Sequence, residues 1–413
     1  MTYTKRYDNG LRLVVEKMEG LFSVSVGVLV KTGSANESQA ENGISHFIEH
    51  TVFKGTSKRS SYEISDYIDR IGASINAFTS KEITCYYTKS TYEHVEETIE
   101  VLSDLFFNAT FNKQELEKEK GVILEEINMS EDTPEDILFD LLAESRYGDQ
   151  GLGRTILGPK SNIKRFTRQD VLDYMDKYYT ADNVVISIAG NVDIDKVEQM
   201  VDSYFAKNFV RTKSASQVKC ETVTKNHLHK YKKIEQTHVG ISLPAYKLGD
   251  ERNDALSIAS YVLGGGMSSR LFQKIREEMG LAYSVYSYIS AYKDQGVLEV
   301  YAGVNPKSRD VATAKIIEEM QKLKDNGINE QEFLRGKEQI KSAFIMARES
   351  TSSQMLLFGK HMIYFDEKYS IEDKLKKFEK LTIEHVNKVI KDLFDFDKIA
   401  TSTVGPKKTS LKI

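Results

Sequence analysis

Within "GISHFIEHTVFKGT", residues 43–56, two histidines stand four apart with a glutamate directly before the second: His46, Glu49 and His50. Imidazoles at i and i+4 of a helix lie one turn apart, near enough to share one tetrahedral zinc ion. A helix is expected over about residues 39–54, with Ile44, Phe47, Ile48 and Val52 on one side. At 100° per residue, His46, Glu49 and His50 fall on the other. Glu49 can then stand beside a water at the metal without ligating it, the arrangement of the inverted zincins, HxxEH. The competing reading is a solvated helix that carries two histidines.

A catalytic zinc keeps three protein ligands and an open position. The third ligand is sought in "ELEKEKGVILEEINM", residues 115–129, where Leu116, Lys120, Ile123, Leu124 and Ile127 form a helical stripe. Glu119 and Glu126 follow one edge of that stripe with Val122 beside them, while Glu117, Lys118 and Glu125 point to solvent. Helix geometry therefore prefers Glu126, or Glu119, to Glu125 as an inward carboxylate. An acidic flank pairing with lysines is the alternative.

The elements that position these residues occur twice. At an offset of about 215, "FSVSVGVLVKTGSANES" (22–38) resembles "THVGISLPAYKLGDERN" (237–253), and "FNKQELEKEKGVILEEINM" (111–129) resembles "INEQEFLRGKEQIKSAFIM" (328–346). Amphipathic helices (91–107, 307–323) and strands ("CYYTKS", "NVVISIAGN", "GVLEVYAGV") recur between them. The fold class read from this is α+β: two duplicated domains, each a mostly antiparallel sheet with helices packed on one face. The expected boundaries are 1–210, a Lys-rich linker 211–233 with solvated His227 and His229, and 234–413. In the second copy Gly336 and Ala343 stand opposite Glu119 and Glu126, and "SYVLGGG" (260–266) replaces HFIEH. All five polar residues vanish together, so one half is expected to carry the chemistry.

Of the 413 residues, 40% are apolar and 29% charged, an ordinary globular composition. A net charge of −4, with Lys and Arg spread along the chain, points to neither nucleic acid nor an anionic membrane as partner. Two cysteines, Cys85 and Cys220, in no CxxC spacing exclude a disulfide framework and a cysteine-based zinc site, and they fit a reducing compartment. The N-terminus lacks the apolar core of a signal peptide, and no apolar run approaches a membrane span. A cytoplasmic location is expected.

These motifs resemble the pitrilysin family of zinc peptidases, in its short bacterial form related to mitochondrial processing peptidase. The family's HxxEH is followed by a glutamate 76 residues after the second histidine, which here is Glu126 in "VILEEI". "IGASINAFTSKEITCYYT", "YYTADNVVISIAGNVD" and "SRLFQKIREEMGLAYSVYSY" also resemble family segments, with Thr51-Val52 a small departure. The resemblance implies one zinc ion per chain on His46, His50 and Glu126, with Glu49 as general base and Glu119 as a support beside the ligands. It implies that the backbone of Asn76 and Ala77, in "SINAFTS" (74–80), pairs with the substrate as an added strand. Arg276 and Tyr283 are expected to bind substrate and support the oxyanion. The implied activity is an endopeptidase cutting extended or unfolded peptides. Long members form a four-domain clamshell, so this chain is half of one, and a homodimer, or a heterodimer with a homologous subunit, is expected to close a chamber. The rival reading is a non-catalytic scaffold or partner subunit, a class that typically loses HxxEH. "GGGMSSR" (264–270) lacks the GK[ST] ending of a phosphate loop.

Overall fold

A computed structural model describes residues 1–210, 213–216, 219 and 226–406. The first half of the chain runs β1 (Thr2–Arg6), β2 (Arg12–Lys17), β3 (Ser23–Val30), α1 (Ile44–Val52), α2 (Ser61–Arg70), β4 (Ser74–Thr79), β5 (Thr84–Thr91), α3 (Val95–Asn108), α4 (Lys113–Asp132), α5 (Pro134–Tyr147), α6 (Lys160–Arg165), α7 (Arg168–Tyr178), β6 (Val184–Gly190) and α8 (Ile194–Tyr204). The second runs β7 (His227–Tyr231), β8 (Thr237–Ala245), α9 (Asn253–Gly264), β9 (Ala282–Ala291), β10 (Gly296–Val304), α10 (Arg309–Asn326), α11 (Glu330–Met346), α12 (Thr351–Phe365), α13 (Ile371–Glu379), α14 (Ile383–Leu393) and β11 (Ala400–Gly405).

The strand orders show the duplication directly. One sheet is β1-β2-β6-β3-β5-β4 and the other β7-β11-β8-β10-β9, the same order with β1 added at one edge. Both are antiparallel except for one parallel pair each, β2 with β6 and β7 with β11. Alternation in "SVSVGVLV" sends Val24, Val26, Val28 and Val30 into one core with Phe47, Ile48, Leu102 and Ile123. In "THVGISLPA", Val239, Ile241 and Leu243 do the same with Leu256, Leu263, Ile316 and Ile390. Each such side chain, fully buried, contributes about 1.5–3 kcal/mol.

The chain divides into two compact units, but not by a single cut. One unit comprises Met1–Ile127, Thr155–Val218 and Ile345–Ser370, and the other Asn128–Arg154, Lys219–Phe344 and Ile371–Ile413. Thus α5, from the first half, packs on β8 and β11, whereas α12, from the second half, packs on β2, β3 and β6. Helices therefore cover both faces of each sheet, where the sequence suggested one. The added face is lined with small residues that let a helix approach. Ser25 Oγ lies 3.0 Å from Thr351 Oγ1, and Ser187 Oγ donates to the Met355 carbonyl at 2.7 Å. A Cβ on Gly359 would stand 2.8 Å from Leu29 Cδ1 and 2.9 Å from Ser187 Cβ. In the second unit, a Cβ on Gly240 would stand 3.1 Å from Leu142 Cδ2, and Ser402 Oγ donates to the Leu138 carbonyl at 3.0 Å.

The expected linker lies partly outside the described residues, at 211–212, 217–218 and 220–225 with Cys220. Its end is a strand rather than a linker. β7 pairs with β11, and His227 and His229, half-buried rather than solvated, each place Nδ1 2.8 Å from the hydroxyl of Thr401 or Thr403. The helix expected over 39–54 is shorter, because Gly43 precedes it with a left-handed φ of 98°. Among the described residues, no helix is long and apolar enough to cross a membrane.

The close seat of α12 makes a prediction about sign. A Gly→Ala change at an open helix position gains about 0.8–1 kcal/mol of helix propensity, whereas overpacking a core costs about 1–3 kcal/mol. Gly359→Ala should therefore lower the melting temperature. Gly121→Ala, at an exposed α4 position with nothing within 4 Å of a new Cβ, should raise it. A stabilised Gly359→Ala protein would mean that α12 does not pack down on the sheet.

Candidate metal centre

The start of α1 is held by a carboxylate that no sequence pattern singled out. Glu37, 1% exposed, accepts hydrogen bonds from the amides of Gly43 and Ser45, each at 2.8 Å, and from Asn42 Nδ2 at 3.0 Å. Helix starts leave such amides unsatisfied, and the helix dipole favours an anion there. Burial raises the proton affinity of Glu37, and these hydrogen bonds oppose that rise. Ser45 is further fixed by the Tyr174 hydroxyl at 2.9 Å.

With Ile44, Phe47, Ile48 and Val52 buried in the core, α1 turns His46, Glu49 and His50 the other way. α4 lays its own stripe, Leu116, Ile123 and Ile127, into the same core and so presents Glu119 and Glu126. Lys120 runs its stem along that stripe and ends 2.7 Å from Glu117. Val122, expected beside the two glutamates, is exposed instead.

The two helices bring His46, His50 and Glu126 together. Glu126 Oε2 lies 3.6 Å from His46 Nε2 and 3.3 Å from His50 Nε2, and the imidazole centroids are 4.6 Å apart. One donor atom from each of the three falls within 4.8 Å of the others. Ligands about 2.0–2.1 Å from a tetrahedral zinc stand roughly 3.3–3.4 Å from one another, so this donor set fits the ion. Glu126 Oε2 is buried and accepts no hydrogen bond from the protein, which suits an oxygen reserved for a cation.

Glu119, 5% exposed, serves from behind. Its Oε1 is 2.9 Å from His50 Nδ1 and its Oε2 is 2.7 Å from Lys54 Nζ. A proton on Nδ1 donated to Glu119 leaves the Nε2 lone pair turned toward Glu126, as metal-ligating histidines require. Glu49 stays outside the cluster of three and accepts from Thr79 Oγ1 at 2.5 Å.

These environments separate the proton affinities. Burial, then the neighbouring His50, holds His46 down at about 4, so its imidazole is neutral near pH 7. Burial also works against a charged His50, yet the Glu119 hydrogen bond and the Glu126, Glu119 and Glu49 charges outweigh it and raise its pKa. Glu119 is lowered despite burial because His50 and Lys54 both donate to it. Glu49 is raised, mainly by burial, with the Thr79 hydrogen bond opposing.

Asn76 and Ala77 lie on β4, the edge strand of the first sheet, whose free side has no strand partner among the described residues. The Ala77 amide donates to Asn76 Oδ1 at 2.8 Å. Arg276 and Tyr283 belong to the second unit. Arg276 is in a π-helical segment, Phe272–Glu278, with its guanidinium 5.3 Å from the ring centroid of Tyr283, the second residue of β9, which is 77% exposed. In that unit the counterpart of Glu119 is Gly336, where a Cβ would meet Ile258 Cγ2 at 3.0 Å. Helix packs directly on helix there, in place of a polar cluster. Sequence reasoning missed Glu37, Lys54 and Thr79. Lys54 lies in the turn just beyond the end of α1, and Glu37 and Thr79 come from a loop and a strand, so none of the three belongs to a helical pattern.

A duplicated α+β chain with a zinc-type donor set and an adjacent carboxylate in one half only defines a metallopeptidase-like architecture. Residues 12–160 match the family model described as Insulinase (Peptidase family M16), and residues 165–340 match Peptidase M16 inactive domain. The chain is 42% identical over 407 residues to the uncharacterized zinc protease YmxG of Bacillus subtilis, covering 97% of this chain and 98% of that one. It is 34% identical over 401 residues to an uncharacterized zinc protease of Rickettsia felis, covering 96% of each. A protease of Helicobacter pylori of known crystal structure shares the fold, with a TM-score of 0.92, 23% identity, and 98% and 99% of the two chains covered. The chain belongs to peptidase family M16, as its motifs led one to expect.

The Glu119 contact carries a prediction. Glu119→Gln should keep the fold, by circular dichroism, and weaken zinc by about 10–100-fold in competition with a chromophoric chelator. An unchanged affinity would remove Glu119 from the centre.

Proposed function

We propose that this chain is a zinc-dependent endopeptidase that cuts extended or unfolded peptides. The observation that carries the reading is the convergence of His46, His50 and Glu126, with Glu49 held just outside them. Two further facts support it: relatives alike over nearly their whole length are named zinc proteases, and His46, Glu49, His50 and Glu126 all lie within residues 12–160, the Insulinase match, and outside the inactive-domain match.

In this reading His46, His50 and Glu126 hold one zinc ion per chain. When bound, zinc polarises a peptide carbonyl and acidifies a water beside it. Glu49 takes the proton from the attacking water and delivers it to the departing amine nitrogen. Its raised proton affinity suits both tasks, since a carboxylate in bulk water is a weaker base. The substrate adds to the free edge of β4 at Asn76 and Ala77 through main-chain bonds, which read extended shape more than sequence. Arg276 and Tyr283 contribute a cation and a phenol that bind the peptide and steady the oxyanion.

The decisive comparison is the wild-type protein beside Glu49→Gln, assayed for zinc content and for cleavage of a quenched unfolded-peptide library. Both should hold one zinc per chain, and the variant should lose at least about a hundredfold in kcat. A wild-type protein that holds zinc and cuts nothing would favour the scaffold or partner-subunit role. Absence of zinc from both would overturn the ligand assignment.

We further propose that two copies, or this chain and a homologous subunit, associate around the bound peptide in the cytoplasm. Sedimentation of the purified zinc form should give twice the 47.0 kDa chain mass, and a monomer that nevertheless cleaves peptides would rule out the dimer requirement.

A further inference from the structure

Two parts of the first unit meet at Glu49: α1, which carries it, and β4, whose last residue touches it. Thr79 Oγ1 donates to Glu49 Oε2 at 2.5 Å. Thr79 lies on the same strand as Asn76 and Ala77, two residues beyond Ala77, and by strand alternation it shares Ala77's face of the sheet. The strand that offers its edge to a peptide is thus also the strand that holds the base.

The contact is braced at both ends by one short loop. The Ser34 amide donates to the Ser80 carbonyl at 3.2 Å and the Ala35 amide to the Lys81 carbonyl at 2.7 Å, pinning the end of β4. A Cβ on Gly33 would lie 2.8 Å from the Lys81 carbonyl oxygen, so the loop lies against the strand end with no room for a side chain. Four residues on from Gly33, Glu37 grips the first turn of α1 through Gly43 and Ser45. The β4–β5 turn is closed by the Ser80 amide, which donates to the Ile83 carbonyl at 2.8 Å. Residues 33–37 therefore set the spacing between helix and strand that the Thr79–Glu49 bond spans.

We propose that Thr79 is a positioning residue for the general base: its hydroxyl holds one carboxylate oxygen of Glu49 and leaves the other turned toward the attacking water, in fixed relation to the peptide edge of β4. This inference rests on the endopeptidase reading. It goes beyond it in assigning the alignment of the base to the substrate-binding strand rather than to the helix that carries the base. A carboxylate half-way along a helix has several side-chain torsions free. A short hydrogen bond to an ionised acceptor is among the stronger ones a hydroxyl makes, so losing it should cost roughly 10–100-fold in the step that uses the base. Peptide affinity, which depends on the backbone edge, should change little.

The test compares wild type, Thr79→Val, Thr79→Ser and Glu49→Gln in their zinc forms. Valine keeps the β-branched shape that a strand prefers and removes only the hydroxyl; serine keeps the hydroxyl. Thr79→Val should lose 10–100-fold in kcat, with KM within about twofold of wild type and full zinc content. Thr79→Ser should stay within about threefold of wild type. Crystal structures supply a readout that does not use turnover: the Glu49 carboxylate should keep its place in Thr79→Ser and leave it in Thr79→Val. Wild-type kcat in Thr79→Val, equal losses in the valine and serine variants, or an unmoved Glu49 in Thr79→Val would each overturn the assignment. If Glu49→Gln itself remains active, the endopeptidase mechanism fails instead, and the crystallographic comparison still decides whether Thr79 holds the carboxylate.

Discussion

Everything at the candidate metal centre depends on how α1 is seated. A helix of nine residues is too short to be stable on propensity alone, yet it holds two imidazoles with their centroids 4.6 Å apart. Three unlike interactions fix it. Its apolar face is sunk into the first core, Glu37 satisfies its leading amides, and the Lys54–Glu119–His50 chain of contacts ties its far end to α4. The first supplies most of the free energy and the other two supply orientation. Hydrophobic burial is non-directional; a carboxylate bridging two backbone amides is not.

That division explains why a duplicated fold can keep its architecture and lose its chemistry. The second unit repeats the strand order and the helix that follows the central strand. At the position of Glu119, however, it has Gly336, with Ile258 close against it. Burying a carboxylate is costly unless it is paired, so an unpaired glutamate at the buried Gly336 position would be destabilising. At Gly336 the polar contact gives way to plain helix packing, while Ala343 stands exposed. The hydrophobic faces are common to both halves, and only the directional contacts differ.

The parts of this arrangement that were legible in the sequence are those that repeat with a helical or strand period. The split of α1 into Ile44, Phe47, Ile48, Val52 against His46, Glu49, His50 follows from 3.6 residues per turn, and so does the inward turn of Glu119 and Glu126. The strand alternation in "SVSVGVLV" was equally plain, but not what covers its second face, where Ser25 and Gly27 are the seat of α12. Periodicity says which face of an element is buried and not what covers it, so the exchange of α5 and α12 between units left no local mark. His227 and His229 sat in a polar stretch without turn signals, and β7 exists because β11 offers it an edge across the whole second half. Glu37 and Thr79 belong to no periodic pattern. They are found by asking where the amides of α1 and the oxygens of Glu49 go.

The proton affinities around the centre show the same logic at the level of single groups. His46 and His50 are one turn apart on one helix and are pushed in opposite directions, His46 down by burial and His50 up by the carboxylates that face it. Two of the glutamates around His50 also part: Glu119 is lowered despite burial by His50 and Lys54, while Glu49 is raised by burial against the Thr79 hydrogen bonds. A single environment would have left the two carboxylates alike. Two roles are needed, a permanently ionised support and a base that can accept and release a proton. The difference comes from the two donors, His50 and Lys54, that outweigh burial at Glu119, where the Thr79 hydroxyl does not outweigh it at Glu49. Neither Lys54 nor Thr79 belongs to HxxEH, so the motif names the chemistry while its neighbours assign the work within it.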